Sequence, residues 1–168
     1  MTNRTHFINI DGRLNTNYLP FLEFYVGFPE KIGHIKSLSI VSVELPVSFT
    51  MDASNECILN PRYVYLEIIE NENYNNRKNK YLFASSTFCS RISKYILARI
   101  TLDYKNYPCG SILPANLSNG LLISGTRNYD KHLHIEGICF RLLNELGIPI
   151  ICNDDNLSFC FQIECADE

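Results

Sequence analysis

Apolar and polar residues alternate along most of this chain, and the period is two. The clearest case lies near the end. Leu157, Phe159, Phe161, Ile163 and Cys165 fall on one side of an extended backbone, and Ser158, Gln162 and Glu164 fall on the other. Such alternation predicts a β-strand. Ile138, Phe140 and Leu142 form a second stripe in the run that starts at His134. The same reading predicts strands at 6–10, 21–26, 35–45, 63–69, 81–85, 95–102 and 121–124. Gly27-Phe-Pro29 is expected to close the second of these, and Pro46 the third, because proline donates nothing to a ladder. Within the third, Leu38 and Ile40 share one face while Val41, Val43 and Leu45 share the other. A change of face near Ser39-Ile40 predicts a β-bulge. The stretch 90–95 is the one place for a helical turn.

Eight to ten short strands without helical periodicity predict an all-β fold, an antiparallel β-sandwich. Long, uneven connections favour a single jelly roll of about eight strands over a meander. With no internal repeat and no low-complexity linker, residues 1–168 read as one domain, with a short N-terminal arm at about 1–10. Two polar loops, at 71–80 and 103–119, are expected to lie outside the strands and to meet neighbouring molecules.

Charge narrows the functional classes. A net charge of −3 and an isoelectric point near 5.8 argue against a surface that neutralises phosphates, so no nucleic-acid partner is expected. The basic run from Arg77 to Lys80 sits in an Asn-rich loop and reads as a solvated tip. Seven cysteines, an odd number with no CxxC pair, predict neither a complete disulfide framework nor a zinc ribbon. They read as reduced structural thiols. The first residues carry no apolar signal core, and no run is long enough to span a membrane as a helix, so direct membrane insertion is not expected.

Motifs of the familiar nucleotide, metalloprotease and hydrolase sites are absent. Adjacent acids at Asp154-Asp155 and Asp167-Glu168 read as solvated turn and tail residues. One arrangement offers chemistry. His132, His134 and Glu136 fall at i, i+2 and i+4, on one face of a strand. A β-barrel cupin binds a divalent metal with a similar pair of histidines and a glutamate. That motif wants its glutamate further on and a later histidine, and no histidine follows His134. The plain reading is a polar strand face backed by Leu133, Ile135 and Gly137. The expectation is therefore no bound metal and no cofactor, with a cupin-like metalloenzyme using His132, His134 and Glu136 as the alternative. A carbohydrate-binding β-sandwich is the other alternative.

Ile8-Asn-Ile-Asp-Gly-Arg13, the strand closing in Glu44-Leu-Pro46 and the stretches 140–147 and 153–159 together resemble small single jelly-roll capsid proteins of nucleocytoplasmic large DNA viruses. Ile8-Asn-Ile-Asp-Gly-Arg13 is similar to that family's Ile-Asp-Ser-Arg start. Ile35-Lys-Ser-Leu-Ser-Ile-Val-Ser-Val-Glu-Leu-Pro46 is similar to its strand ending in Glu-Leu-Pro. Pro61-Arg-Tyr-Val-Tyr-Leu-Glu-Ile68 and Ile96-Leu-Ala-Arg-Ile100 look like its middle strands. Phe140-Arg-Leu-Leu-Asn-Glu-Leu-Gly147 and Asn153-Asp-Asp-Asn-Leu-Ser-Phe159 resemble its closing turn and strand. The segments occur in the family's order over most of the chain. Departures fall at Gly12, Asn144 and Ile148, where the family has Ser, Asp and Arg.

The resemblance implies a structural, non-enzymatic virion protein. It would be the penton at the five-fold vertices or a minor capsid protein against the major capsomers. Implied partners are further copies of the chain, as a pentamer, and the major and minor capsid proteins. The implied location is the virion capsid, assembled in the host cytoplasm. Interface candidates are Tyr104 and Tyr107, in a segment that ends in a tight turn at Gly110, and Tyr74 and Arg77 in the 71–80 loop.

Overall fold

In the computed structural model the residues described are 3–12, 24–47, 61–70, 95–145, 147–150 and 156–166. They form eight antiparallel strands and, among the described residues, no α-helix. The strands are β1 (Asn3–Asp11), β2 (Phe24–Pro46), β3 (Tyr63–Glu70), β4 (Ile96–Thr101), β5 (Ile112–Asn116), β6 (Leu122–Ser124), β7 (Arg127–Leu143) and β8 (Ser158–Ala166). The all-β antiparallel reading is correct. The predicted strand at 81–85, the helical turn at 90–95 and the 71–80 loop lie outside the described residues or almost entirely so.

The strands make one curled sheet in the order β1-β8-β2-β7-β3-β4-β6, with β5 also on β2. Long β2 joins two wings. Its second half pairs with β8 along one edge, Ile35 opposite Cys165 through Glu44 opposite Ser158. The other edge carries β7 first and then β5. One wing is thus β1, β8, β2 and β5, and the other is β2, β7, β3, β4 and β6. Curling brings the wings face to face. The Phe140 ring of β7 meets the Phe159 ring of β8 edge-on, with centroids 4.7 Å apart. Ser124 of β6 accepts a hydrogen bond from the Ile40 amide of β2.

All eight strands contribute to one apolar core, from Ile10 on β1 to Ile163 on β8. The β8 stripe is inside as its alternation requires, and Phe161 and Ile163 are fully buried. The predicted bulge is real. The β2–β8 register slips between Ile40 and Ser42, which leaves Val41 as the extra residue. It returns Val43 and Leu45 to the inner side, beside Leu38 and Ile40, and all four are buried.

Three expectations change. Gly27-Phe-Pro29 does not end a strand, because β2 runs through it with a register shift between Gly27 and Ile32. A bulge is one of the few places where a sheet tolerates proline. The N-terminal arm is, from Asn3 on, the integral strand β1, paired along its length with β8. The 103–119 segment is not all loop, for β5 occupies its middle. Leu113 and Ala115 point inward there, and Pro114 is exposed. Among the described strands β5 pairs only with β2, so Pro114 removes no needed donor.

Candidate functional site: a histidine-lined groove at the rim of the curled sheet

The predicted polar face on β7 is where the sequence puts it. His134 and Glu136 are exposed, while Leu133 and Ile135 are buried on the opposite side. The backbone of His132 belongs to β7, but its side chain is not among the described ones. His134 and Glu136 go to different partners. The Glu136 carboxylate pairs with the Lys31 ammonium at 3.2 Å, and both are more than half exposed. His134 leans instead on His34 of β2, the ring centroids 5.1 Å apart and nearly perpendicular. Among the described residues no three His, Cys, Asp or Glu side chains converge to hold a metal ion.

That contact of two imidazoles lies in a groove of about 680 Å³. Arg4 and His6 of β1 line it, with Lys31 and His34 of β2, His134 of β7 and Cys165 of β8. Each strand supplies its residues for a local reason. Arg4 and His6 are on the inner side of β1, four and two residues before Ile8, but they lie toward the strand's N-terminal end. His34 has a left-handed backbone, φ 56°, the one non-glycine positive φ among the described residues. Gly33 lies close beneath the His134 ring. Burial pushes the Cys165 thiol above its ordinary pKa, and Arg4 pulls it weakly back. A thiol held protonated is a poor nucleophile.

Two ion pairs with buried carboxylates hold the second wing. Arg127, at the start of β7, donates to Glu70 Oε1 at 2.5 Å and to the carbonyls of Ile68 and Tyr95. The Tyr129 hydroxyl donates to the same carboxylate oxygen. Burial, and then the nearby Glu70 charge, push the Tyr129 pKa well above 10. Glu67, fully buried on β3, accepts from Arg141 of β7. These contacts cross between strands far apart in sequence, so they pin register more than they form a reactive centre.

Of the four interface candidates, Tyr74 and Arg77 lie outside the described residues. Tyr104 and Tyr107 are half-buried against the protein's own core. The Tyr104 hydroxyl donates to the Pro61 carbonyl at 2.9 Å, and burial pushes its pKa up to about 12. The tight turn after them is present: Gly110 has φ 88° and its amide donates to the Val47 carbonyl. Among the described residues, the large apolar side chains that do face outward are elsewhere. They are Phe7 on β1, and Ile112, Leu117 and Ile123 in and around β5 and β6. Cys109, Cys139, Cys160 and Cys165 are in the thiol form, and the other three cysteines are outside the described residues.

The groove was not legible as a site. Its residues come from four strands and run from Arg4 to Ala166, with no motif spacing. The one sequence signal was compositional: four histidines in all, two of them at 132 and 134. Compared with models of protein families and with curated proteins, the sequence matches none.

Proposed function

We propose that this chain is a structural virion protein of a large icosahedral DNA virus, folded as a single jelly roll. In this reading it is the penton at the five-fold vertices, or otherwise a minor capsid protein that contacts the major capsomers. The observation that carries the proposal is the pairing order. β1-β8-β2-β5 faces β2-β7-β3-β4, so successive strands cross repeatedly between the wings. A jelly roll of two sheets needs such crossings, and a meander has none. The resemblance of segments along the chain to small capsid proteins points the same way.

The surface supports the reading. Phe7 stands 61% exposed on the outermost strand β1. Ile112, Leu117 and Ile123 are exposed near the other end of the fold. Two separate apolar contacts suit a ring, in which each copy meets one neighbour with one surface and the next with a different one. β1 and β5 are outer strands among those described, and outer strands can pair with another chain.

The purified chain is expected to self-associate, and mass photometry or analytical ultracentrifugation will read the ring as a pentamer. Quantitative mass spectrometry of intact particles is expected to find roughly sixty copies, five at each of twelve vertices. A chain that stays monomeric at high concentration and is absent from particles overturns the proposal. A copy number far above that leaves the minor capsid protein and removes the penton.

A further inference from the structure

Three of the chain's four histidines line the groove, and the fourth, His132, is two positions from His134 on β7. Two local features bring the rings together. His34 adopts a backbone conformation that non-glycine residues rarely hold, and such conformations gather where function demands a geometry. Gly33 leaves room for His134: a Cβ at that position would stand 2.7 Å from the His134 Nδ1. Any side chain at 33 would have to shift the imidazole. Neither ring belongs to the apolar core. The arrangement therefore serves the groove and not the packing.

Formal charges on and beside the groove balance, and what is in excess is N–H donors. Arg4 and Lys31 are opposed by Glu30 on the lining and by Glu136, which already pairs with Lys31. Arg4, His6, His34 and His134 add donors from three strands. A guanidinium matches an oxyanion with a fork of N–H groups, and an imidazole keeps an N–H donor in either protonation state. This concentration of donors stands on a chain whose net charge is −3.

We propose that the groove binds a phosphate-type oxyanion, either free phosphate or the phosphate of a monoester, through Arg4, His6, His34 and His134. Its volume, about 680 Å³, leaves space for an organic group behind a phosphate and is within the range of small-ligand sites. Gly33 and the turned backbone of His34 are the positioning elements. The inference is independent of the capsid reading, because it concerns the rim of the fold and needs no neighbour.

Four histidines give a readable NMR experiment. The ring C–H signals of the intact chain are followed at fixed pH during titration with inorganic phosphate and, separately, with glycerol phosphate. Sodium chloride at equal ionic strength is the control. Saturable shifts of the His6, His34 and His134 signals that chloride does not reproduce support the site. Tighter binding of glycerol phosphate identifies an ester as the ligand, and tighter binding of inorganic phosphate identifies the free ion. Arg4→Gln is expected to weaken binding at least about tenfold, the scale of one lost charged hydrogen bond. Gly33→Ala is expected to move the His134 signal and weaken binding with Arg4 intact. Should Gly33→Ala fail to fold, Arg4→Gln decides alone, with circular dichroism to check its fold. Shifts that do not saturate, shifts that chloride matches, or parental affinity in Arg4→Gln overturn the proposal.

Discussion

The ladder between β1 and β8 has two halves that look alike in pattern and differ in fate. In one half Ile8 and Ile10 of β1 stand opposite Phe161 and Phe159, and Ile10, Phe159 and Phe161 are buried. In the other half Arg4 and His6 stand opposite Cys165 and Ile163. Cys165 and Ile163 are buried as well, but Arg4 and His6 are exposed. Strand β8 lies between β1 and β2, away from the edge of the sheet, and its inward residues are buried along its whole length. Strand β1 is an outer strand, and its inner side is covered only where the opposite wing reaches it. Alternation therefore decides which side of a strand a residue takes. The opposing layer decides whether that side is core or groove.

The sharpest way to break this comparison is to empty the covered half. Phe159→Ala and Phe161→Ala are each expected to cost about 3–5 kcal/mol of folding stability, the range for buried aromatics. Urea denaturation will measure it. A loss under about 1 kcal/mol would mean that the β8 stripe is not the core.

A second contrast lies between two ion pairs. Arg127 and Glu70 are almost wholly buried, whereas Lys31 and Glu136 face solvent. Removing one partner of a buried pair strands the other charge, so Arg127→Ala is expected to destabilise by about 3–5 kcal/mol. Lys31→Ala is expected to change stability by less than about 1 kcal/mol. Thermal or urea melts of the two variants side by side will test it, and equal effects would contradict the burial assigned to Arg127.

Alkali separates the same regions by proton linkage. Tyr104 and Tyr129 hold their protons above the ordinary tyrosine range in the folded chain, Tyr104 up to about 12. From pH 10 upward the unfolded chain releases those protons and the folded chain does not. Stability is therefore complete below pH 10 and falls as pH rises toward the folded pKa values. Urea midpoints between pH 9 and 12 should fall, and more gently in Tyr129→Phe. A slope that Tyr129→Phe leaves unchanged would exclude it as a source.

The smallest effect belongs to the open half of the ladder. His6→Gln is expected to change stability by no more than about 0.5 kcal/mol, as for a surface position. The same melts will read it, and a loss of core size would place His6 in the packing instead of the groove.

Legibility followed the range of the interactions involved. The β8 stripe, the β7 face with Leu133 and Ile135 inside, and the bulge near Ile40 were all readable, because side-chain alternation is set within a few residues. β5 was missed since its five residues include Pro114, a signal against a strand unless the strand is an outer one. The turn at Gly27-Phe-Pro29 was misread because a glycine and a proline mark a bulge as well as a strand end. The groove was unreadable, since nothing local to Arg4 or His34 announces that the two will meet.

By itself the sequence determined the secondary structure class, the buried side of β7 and β8 and the change of face within β2 at its bulge. These are consequences of backbone alternation and of what proline and glycine permit. The tertiary structure alone decided that one long strand would serve both wings, that Arg127 would reach Glu70 across 57 positions, and that three histidines would share one groove. Those outcomes depend on which strands become neighbours when the sheet curls, and the energy that selects them is spread over the whole core.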